Sequence, residues 1–259
     1  MKICVLIKQV ASEDSNLVLN DDRLSLDADA LNLISNEPDT YALEEALQLK
    51  EKTGGTVQIC TFGPESSRQV IKDALAKGAD SGIFISDEGI NDKSPQKIAK
   101  IISNRIKDEN FDIILSGLQS NDSGFSQVGL IIAEYLNTSH ASLVMGTEIL
   151  NEKSIKVKLE LENGWFQWSE LDLPASLTIQ SGINTPRYAT LKGIMSVKNK
   201  SVDSYSKDDI SCNISNDGYK TIEMFQPLKS KETITVEGSA DEIVDELIDI
   251  LKNKIKVVQ

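Results

Sequence analysis

Residues suited to catalysis or metal binding are scarce in this chain of 259 residues. It has one histidine and three cysteines, and the cysteines lie far apart, without the C-x-x-C spacing of zinc or redox sites. A zinc site needs several nitrogen or sulfur ligands close together, so His140 alone does not provide one. We interpret Cys4 and Cys60, which lie inside apolar runs, as small buried hydrophobic residues.

Positive charge is also in short supply, because 27 Lys and Arg residues stand against 40 Asp and Glu residues. The net charge of −13 repels nucleic acids and anionic lipids, whose binding relies on clustered cations. The apolar run from Ile3 to Ile7 is too short for the core of a signal peptide, and its surroundings do not form an Arg-rich presequence. We therefore expect a reduced, soluble, cytoplasmic protein that binds no nucleic acid and inserts into no membrane.

Catalytic and nucleotide-binding signatures are missing too. The chain has no G-x-S-x-G elbow, no Walker A loop and no G-x-G-x-x-G fingerprint. The neighbours Glu44 and Glu45 point about 100° apart on a helix, so a solvated helix face is a better interpretation than an acid–base pair. Without a catalytic constellation, the sequence favours a binding or carrier protein over an enzyme.

Short apolar runs alternate with amphipathic runs in the first half of the chain. Such apolar runs predict strands buried on both faces, and the amphipathic runs predict helices between them. This alternation is typical of parallel βαβ units. The predicted strands are residues 3–7, 56–62, 82–86 and 112–116, and the predicted helices are 38–52, 65–77, 95–105 and 125–136.

Antiparallel features interrupt this pattern. Residues 18–26 predict a small hairpin inserted after the first strand. Residues 155–162 alternate with period two, and Asn163-Gly164 after them predicts a type I′ turn that returns through 165–168. Residues 175–179 predict a strand that rejoins the main sheet. The expected fold class is α/β: a Rossmann-like, mostly parallel sheet with flanking helices, a small antiparallel hairpin insertion and an extended C-terminal tail.

The composition changes near residue 198. Residues 199–259 begin with a polar stretch rich in Ser, Asp and Asn and end in an amphipathic helix predicted over 240–254. We therefore predict an α/β nucleotide-binding domain over residues 1–198 and a C-terminal tail with a helix over 199–259 that packs on a partner subunit.

Two loops at the predicted carboxyl ends of strands indicate a ligand site. In an open parallel sheet, ligands bind beyond these ends at the point where the strand order reverses. One loop leads to residues 35–39, and the other, 116–127, is rich in small residues, hydroxyls and amides and opens a helix. Backbone N–H groups at a helix start attract phosphate without Lys or Arg. On composition alone, ordinary strand–helix connections remain the alternative.

Three segments resemble motifs of the electron transfer flavoprotein beta subunit. Residues 36–50 resemble the first helix of that family. Gly117-Leu118-Gln119-Ser120-Asn121-Asp122, followed by Gln127-Val128-Gly129, resembles its G-K-Q-x-x-D…Q-x-G nucleotide loop, with Leu118 in place of the lysine. Residues 184–195 resemble its N-x-P-R-Y-A-x-L-x-x-I-M signature, which is the most specific of the three.

The resemblance implies a non-catalytic subunit of a heterodimer with the alpha subunit, on a fold of the adenine nucleotide alpha hydrolase type. Such a subunit binds AMP, while the alpha subunit holds most of the FAD near the interface. The complex carries electrons from flavin-dependent dehydrogenases, such as the acyl-CoA dehydrogenases of fatty acid oxidation, to a quinone oxidoreductase. The alternatives are a subunit of an electron-bifurcating flavoprotein with FAD in place of AMP, and a stand-alone adenine-nucleotide-binding module or hydrolase of the same fold.

The resemblance also implies site residues. Asn36 would pair with the adenine edge, and Leu6 and Phe62 would form apolar walls, although core packing is the alternative for Phe62. Leu191 corresponds to an apolar anchor that inserts into a dehydrogenase, with a buried turn as the alternative. The implied nucleotide-binding residues are Leu6, Ile7, Asn36, Asp39, Phe62, Gly117, Gln119, Asp122, Ser123, Ser126, Gln127 and Val128. The implied partner-binding residues are Tyr188, Leu191, Ile194 and Met195.

Overall fold

Strands and helices alternate along the first half of the chain, as its apolar runs predict. The structure is a computed structural model and describes residues 1–90, 93–210, 221–227 and 233–256. The strands are β1 (Lys2–Leu6), β2 (Gln9–Ala11), β3 (Leu33–Ser35), β4 (Thr56–Gly63), β5 (Ser81–Ser86), β6 (Ile113–Gly117), β7 (Ser139–Asn151), β8 (Ser154–Glu160), β9 (Phe166–Asp172), β10 (Ala175–Ile179) and β11 (Val202–Tyr205). The helices are α1 (Glu37–Thr53), α2 (Arg68–Lys77), α3 (Pro95–Ile106), α4 (Val128–Leu136), α5 (Leu191–Ser196) and α6 (Ala240–Asp249).

One large sheet has the strand order β11-β5-β4-β1-β6-β10-β7-β8-β9. Neighbouring strands from β11 to β7 are parallel, whereas β7, β8 and β9 are antiparallel. The expected mostly parallel α/β sheet is therefore confirmed. The order reverses at β1, which has β4 on one side and β6 on the other, and such a reversal marks the ligand-binding edge of an open sheet.

Alternate side chains of β1 enter two separate cores on opposite faces of the sheet. Ile3 and Val5 belong to the core that includes residues of α1 and α2, and Cys4 and Leu6 belong to the core that includes residues of α3 and α4. This two-sided burial explains the unbroken apolar run. Burial raises the pKa of the Cys60 thiol to about 12, so this residue behaves as the small hydrophobe expected from the sequence.

The start of the fourth helix differs from the prediction. The helix was expected from residue 125, but α4 begins at Val128. Gly124 and Ser126 have left-handed backbones, with φ of 63° and 54°, which a right-handed helix does not accommodate. The three residues before α4 therefore belong to a loop.

The antiparallel part contains both expected and unexpected elements. The turn at Asn163-Gly164 has φ of 58° and 75°, and Trp165 N donates to Glu162 O, so the predicted type I′ turn is confirmed. Strand β7, which pairs with both β10 and β8, was not predicted. Within the insertion after β1, a bridge joins Leu19 to Leu26, and an unpredicted two-stranded sheet, β2–β3, closes its base.

The main sheet continues beyond residue 198, since β11 pairs with β5 at its edge. The described chain divides into two compact units, Met1–Ile222 and Glu223–Gln259, and the predicted domain boundary at 198 stays a prediction. In the second unit, α6 is followed by π-helical turns over Ile250–Ile255, in agreement with the helix predicted over 240–254. The packing of residues 199–259 on a partner stays a prediction, and residues 211–218 of the predicted polar stretch lie outside the described residues.

None of the helices in the described ranges is both long and apolar enough to cross a bilayer.

The central strand β6 should contribute strongly to stability. Ile113 pairs with both β1 and β10 and is 0% exposed, so Ile113→Ala should lower the free energy of unfolding by about 2–5 kcal/mol. Ile34→Ala on β3 is the matched control, because Ile34 is 42% exposed and should cost less than about 1 kcal/mol. Urea unfolding followed by circular dichroism measures both. Equal losses would contradict this description of the core.

Candidate functional site

A pocket of about 430 Å³ lies at the carboxyl ends of β1, β4 and β6, where the strand order reverses. Its volume is within the range of small-molecule sites. Every residue that the resemblance implies to be nucleotide-binding is part of its lining: Leu6, Ile7, Asn36, Asp39, Phe62, Gly117, Gln119, Asp122, Ser123, Ser126, Gln127 and Val128. Residues from distant parts of the sequence thus share one site, while their contact with a nucleotide stays a prediction.

One part of the lining is apolar. Phe62 is half-buried, packs against the core beneath α3 and also lines the pocket, so core packing and pocket lining both apply to it. Pro64, Ile98 and Phe125 extend this surface beyond the residues that the sequence indicates. A wall of this kind suits a flat, weakly polar ring.

A polar cluster around Lys8 forms another part of the lining. Lys8 Nζ lies 2.6 Å from Asp122 Oδ1 and 3.2 Å from Ser123 Oγ. Burial alone would raise the pKa of Asp122, but hydrogen bonds from Lys8 and Ser120 bring it below its usual value. The cluster therefore pairs an ionised carboxylate with an ammonium group inside the pocket.

Sequence reasoning missed Lys8. The family motif has a lysine where this chain has Leu118, so the motif provides no cation for the pocket. Lys8 directly follows the apolar run of β1, and residues at the carboxyl end of a central parallel strand face this edge of the sheet. That placement was the signal available in the sequence.

Asp39 joins three elements beneath the pocket. Its Oδ2 accepts a hydrogen bond of 2.8 Å from Lys8 N, after β1, and its Oδ1 accepts one of 2.8 Å from Gly117 N, at the end of β6. A Cβ at position 117 would lie 2.6 Å from that Oδ1, so only glycine fits. Burial raises the pKa of Asp39 to about 6, and the amide hydrogen bonds offset only part of this effect.

Asn36 holds the loop that follows β6. Its side-chain amide donates to Gln119 O at 2.9 Å and accepts from Asn121 N at 3.0 Å. The donor and acceptor that were expected to meet an adenine edge are thus both engaged within the chain. Asn36 fixes the position of the pocket wall, and its direct contact with a base stays a prediction.

The start of α4 offers backbone donors to the pocket. Val128 and Gly129, in the first turn of the helix, line the cavity, and the side chain of Gln127 does not cap that turn. The first N–H groups of a helix have no partner within it, and the helix dipole favours an anion there. Ser126 Oγ donates to Gln119 Oε1 at 3.1 Å and so links the loop just before these groups.

A second surface surrounds α5. Leu191 is 82% exposed, so the alternative of a buried turn is wrong. Tyr188, Ile194 and Met195 are also exposed, and Thr190 caps the helix by accepting a hydrogen bond from Gly193 N at 3.0 Å. The implied partner-binding residues therefore form an apolar, solvent-facing loop.

The expectation of a solvated helix face at Glu44 and Glu45 is wrong, because both residues are buried. Arg187 Nε lies 2.8 Å from Glu44 Oε2, and Asn184 Nδ2 donates to Glu45 Oε2 at 3.0 Å. The segment that precedes the exposed loop covers this face of α1 and replaces water with its own polar groups. Burying the carboxylates in this way avoids leaving them unpaired.

The comparisons with known proteins agree on one family. The model of the electron transfer flavoprotein domain matches residues 24–210. Proteins named electron transfer flavoprotein subunit beta are similar over nearly the whole chain. That of Bacillus subtilis is 33% identical over 100% of both chains, and that of Methylophilus methylotrophus is 32% identical over 97% of this chain and 98% of the relative. That of Syntrophomonas wolfei is 32% identical over 99% and 98%.

Asp39 should make stability depend on pH. Its pKa rises from an ordinary 3.8 to about 6 in the folded chain, so the folded state favours the protonated carboxyl. The resulting stability is present at low pH and is lost as the pH rises through about 6. Between pH 5 and 7.5 this loss should be roughly 1 kcal/mol, and Asp39→Asn should abolish it.

Urea unfolding at several pH values measures this effect as the difference between wild type and variant. Asp108→Asn at an exposed position is the control, and its difference from wild type should stay constant over the range. Asp39→Asn should also lower stability at every pH, because one of the two amides at positions 8 and 117 then faces an NH₂ group. A pH-independent difference for Asp39→Asn would contradict the assignment.

Proposed function

The chain belongs to the electron transfer flavoprotein family as a beta subunit, and we propose that its pocket holds AMP. The observation that carries this proposal is that all the implied nucleotide-binding residues line one pocket at the switch point of the sheet. Its volume of about 430 Å³ suits a mononucleotide. FAD is a dinucleotide with an additional three-ring flavin and is much larger, so the size favours AMP over the FAD of the bifurcating alternative.

We assign different parts of the lining to the base and the phosphate of AMP. In this proposal Leu6 and Phe62 contact the base through the apolar wall. The backbone N–H groups at the start of α4 bind the phosphate, and Lys8 balances its charge while sharing its ammonium with Asp122. Lys93 also lines the pocket, but it is paired with Asp87. One helix start, with Lys8 and Lys93 each already paired with a carboxylate, favours a single phosphate over a diphosphate or a triphosphate.

We also propose a heterodimer with the alpha subunit, which would hold most of the FAD near the interface. The hairpin of β8 and β9 supports this, because Trp165, Phe166 and Trp168 are exposed on it. An exposed apolar surface of this kind is typical of an interaction site. When bound, FAD supplies the electron-transfer chemistry, and this chain shapes part of its surroundings without a catalytic group of its own.

The exposed loop supports a proposal about the partners outside the heterodimer. We propose that Leu191 inserts into a pocket of a flavin-dependent dehydrogenase, such as an acyl-CoA dehydrogenase, and that the complex passes the electrons to a quinone oxidoreductase. A single exposed leucine beside other apolar side chains has the character of a binding hot spot. The cytoplasmic location expected from the sequence belongs to the same proposal.

Nucleotide content tests the pocket. The complex purified with its alpha subunit should release one AMP and one FAD on denaturation, as measured by chromatography. Release of two FAD molecules without AMP would support the bifurcating alternative and contradict AMP binding. A complex that holds one FAD and no other nucleotide would also contradict it.

Lys8→Met sharpens this test. Loss of the ammonium should weaken AMP binding roughly tenfold, because a charge-assisted hydrogen bond is lost, and should leave the FAD content unchanged. Lys2→Met is the matched control: Lys2 lies at the start of β1, which Lys8 follows, forms an ion pair with Glu109 and is 36% exposed, against 40% for Lys8. Equal retention of AMP by both variants would exclude Lys8 from the site.

Leu191→Ala tests docking. Loss of a hot-spot side chain should raise the KM of the complex for a reduced acyl-CoA dehydrogenase roughly thirtyfold, or about 2 kcal/mol, with AMP and FAD contents unchanged. Leu17→Ala, at another exposed leucine, serves as the control and should leave KM unchanged. An unaltered KM for Leu191→Ala would contradict the docking role.

A further inference from the structure

Arg187 connects the exposed loop to helix α1. Its Nε lies 2.8 Å from Glu44 Oε2 and its Nη2 lies 3.0 Å from Glu44 Oε1, which is a bidentate arrangement. Its backbone N–H also donates to Glu44 Oε2 at 3.1 Å, and its Nη1 lies 2.5 Å from Glu51 Oε1. One side chain thus ties the residue before Tyr188 to two turns of the helix.

The carboxylate that receives this arginine is buried. Burial alone would raise the pKa of Glu44, but hydrogen bonds from Arg187 and Gln48 lower it, so Glu44 is ionised in the folded chain. Removing the partner of a buried charge strongly destabilises the folded protein. If the loop moved away from α1, the buried Glu44 carboxylate would lose its partner and the protein would lose stability. The contact therefore opposes loop movement.

The far side of the loop is held as well. Gly193 lies so close to the end of α2 that a Cβ there would be 2.1 Å from Ala76 O. Lys200 Nζ then donates to Leu75 O at 2.8 Å and to Ala79 O at 2.6 Å. The docking loop, residues 188–195, is therefore fixed at both ends while its apolar side chains face solvent.

We propose that Arg187 is a positioning residue for partner docking, whose ion pairs with Glu44 and Glu51 hold the docking loop in the shape that presents Leu191. This inference rests on the docking function proposed above. A loop that is ordered before the encounter loses less conformational entropy on binding. When only a fraction of the molecules has the competent loop, the apparent affinity falls in proportion to that fraction.

Arginine is specifically required in this arrangement. Its planar fork reaches both oxygens of Glu44 and still places Nη1 at Glu51, whereas a lysine offers a single ammonium. Arg187→Lys should therefore restore only part of the wild-type behaviour. A role in stability alone would change the free energy of unfolding without a specific effect on the loop or on docking.

The test uses the full complex with its alpha subunit and the variant Arg187→Gln. Hydrogen exchange should become roughly tenfold faster at the amides of Gly193 and Ile194, which donate to Thr190. The KM for a reduced acyl-CoA dehydrogenase should rise roughly five- to tenfold. The rate at saturating dehydrogenase and the AMP and FAD contents should stay at wild-type values, and Arg187→Lys should give intermediate exchange and KM.

Arg68→Gln is the matched control. Arg68 also forms an ion pair with a glutamate, Glu65, donates to Ser204 and is 29% exposed, against 32% for Arg187. This variant removes the same chemical group elsewhere and should leave both the loop exchange and KM unchanged. A similar rise in KM for Arg68→Gln would show a general effect of stability and overturn the inference.

Leu191→Ala separates this inference from the docking proposal. If Leu191→Ala raises KM but Arg187→Gln changes neither KM nor exchange, positioning by Arg187 is wrong and docking stands. If Leu191→Ala leaves KM unchanged, docking is wrong, and the positioning role for docking falls with it. In the double variant, Arg187→Gln should add little to the KM of Leu191→Ala, because the loop then has no anchor to position.

Discussion

The buried carboxylate of Asp39 is the contact on which the shape of the pocket depends. It accepts the amides of Lys8 and Gly117 and so fixes the ends of β1 and β6 relative to the first turn of α1. These two strands are neighbours at the point where the strand order reverses, and their ends would otherwise leave unpaired amides beside a cavity. Burial of the ionised carboxyl is unfavourable, as its raised pKa indicates. The two amide hydrogen bonds offset part of this cost at the point where the three elements meet.

Helix α1 supports both the pocket and the exposed loop. At its start, Asn36 and Asp39 hold the loop and strand ends that line the pocket. Two turns later, Glu44 and Glu45 receive Arg187 and Asn184, which precede the exposed loop. The pocket and the loop thus share one support. Both are held to α1 by hydrogen bonds or ion pairs of buried polar groups, and these interactions have good geometry only when the helix and its partners take one relative position. Apolar packing alone would hold the helix on the sheet without fixing these positions so closely.

The sequence predicts the elements whose signals are local. Strand β1 follows from an unbroken apolar run, and the turn at Asn163-Gly164 follows from residues that accept a left-handed backbone. The environment of Glu44 could not be predicted, because its partner Arg187 is 143 positions away along the chain. The late start of α4 depends on the left-handed conformation of Ser126, which a serine rarely adopts. The lining residues came from the resemblance, whereas the engagement of the Asn36 amide within the chain required the structure.

An acidic chain can still provide a site for an anionic nucleotide. The net charge of −13 is that of the whole chain, and at physiological ionic strength charges are screened beyond a distance of about 8 Å. Within that distance the pocket offers the Lys8 ammonium and the N–H groups at the start of α4, while the Asp122 carboxylate offsets part of this positive potential. Lys93 and Asp87, which also line the pocket, form a second ion pair there. On the proposal above, the pocket would suit one phosphate group better than a longer phosphate chain, because Lys8 and Lys93 are each already paired with a carboxylate.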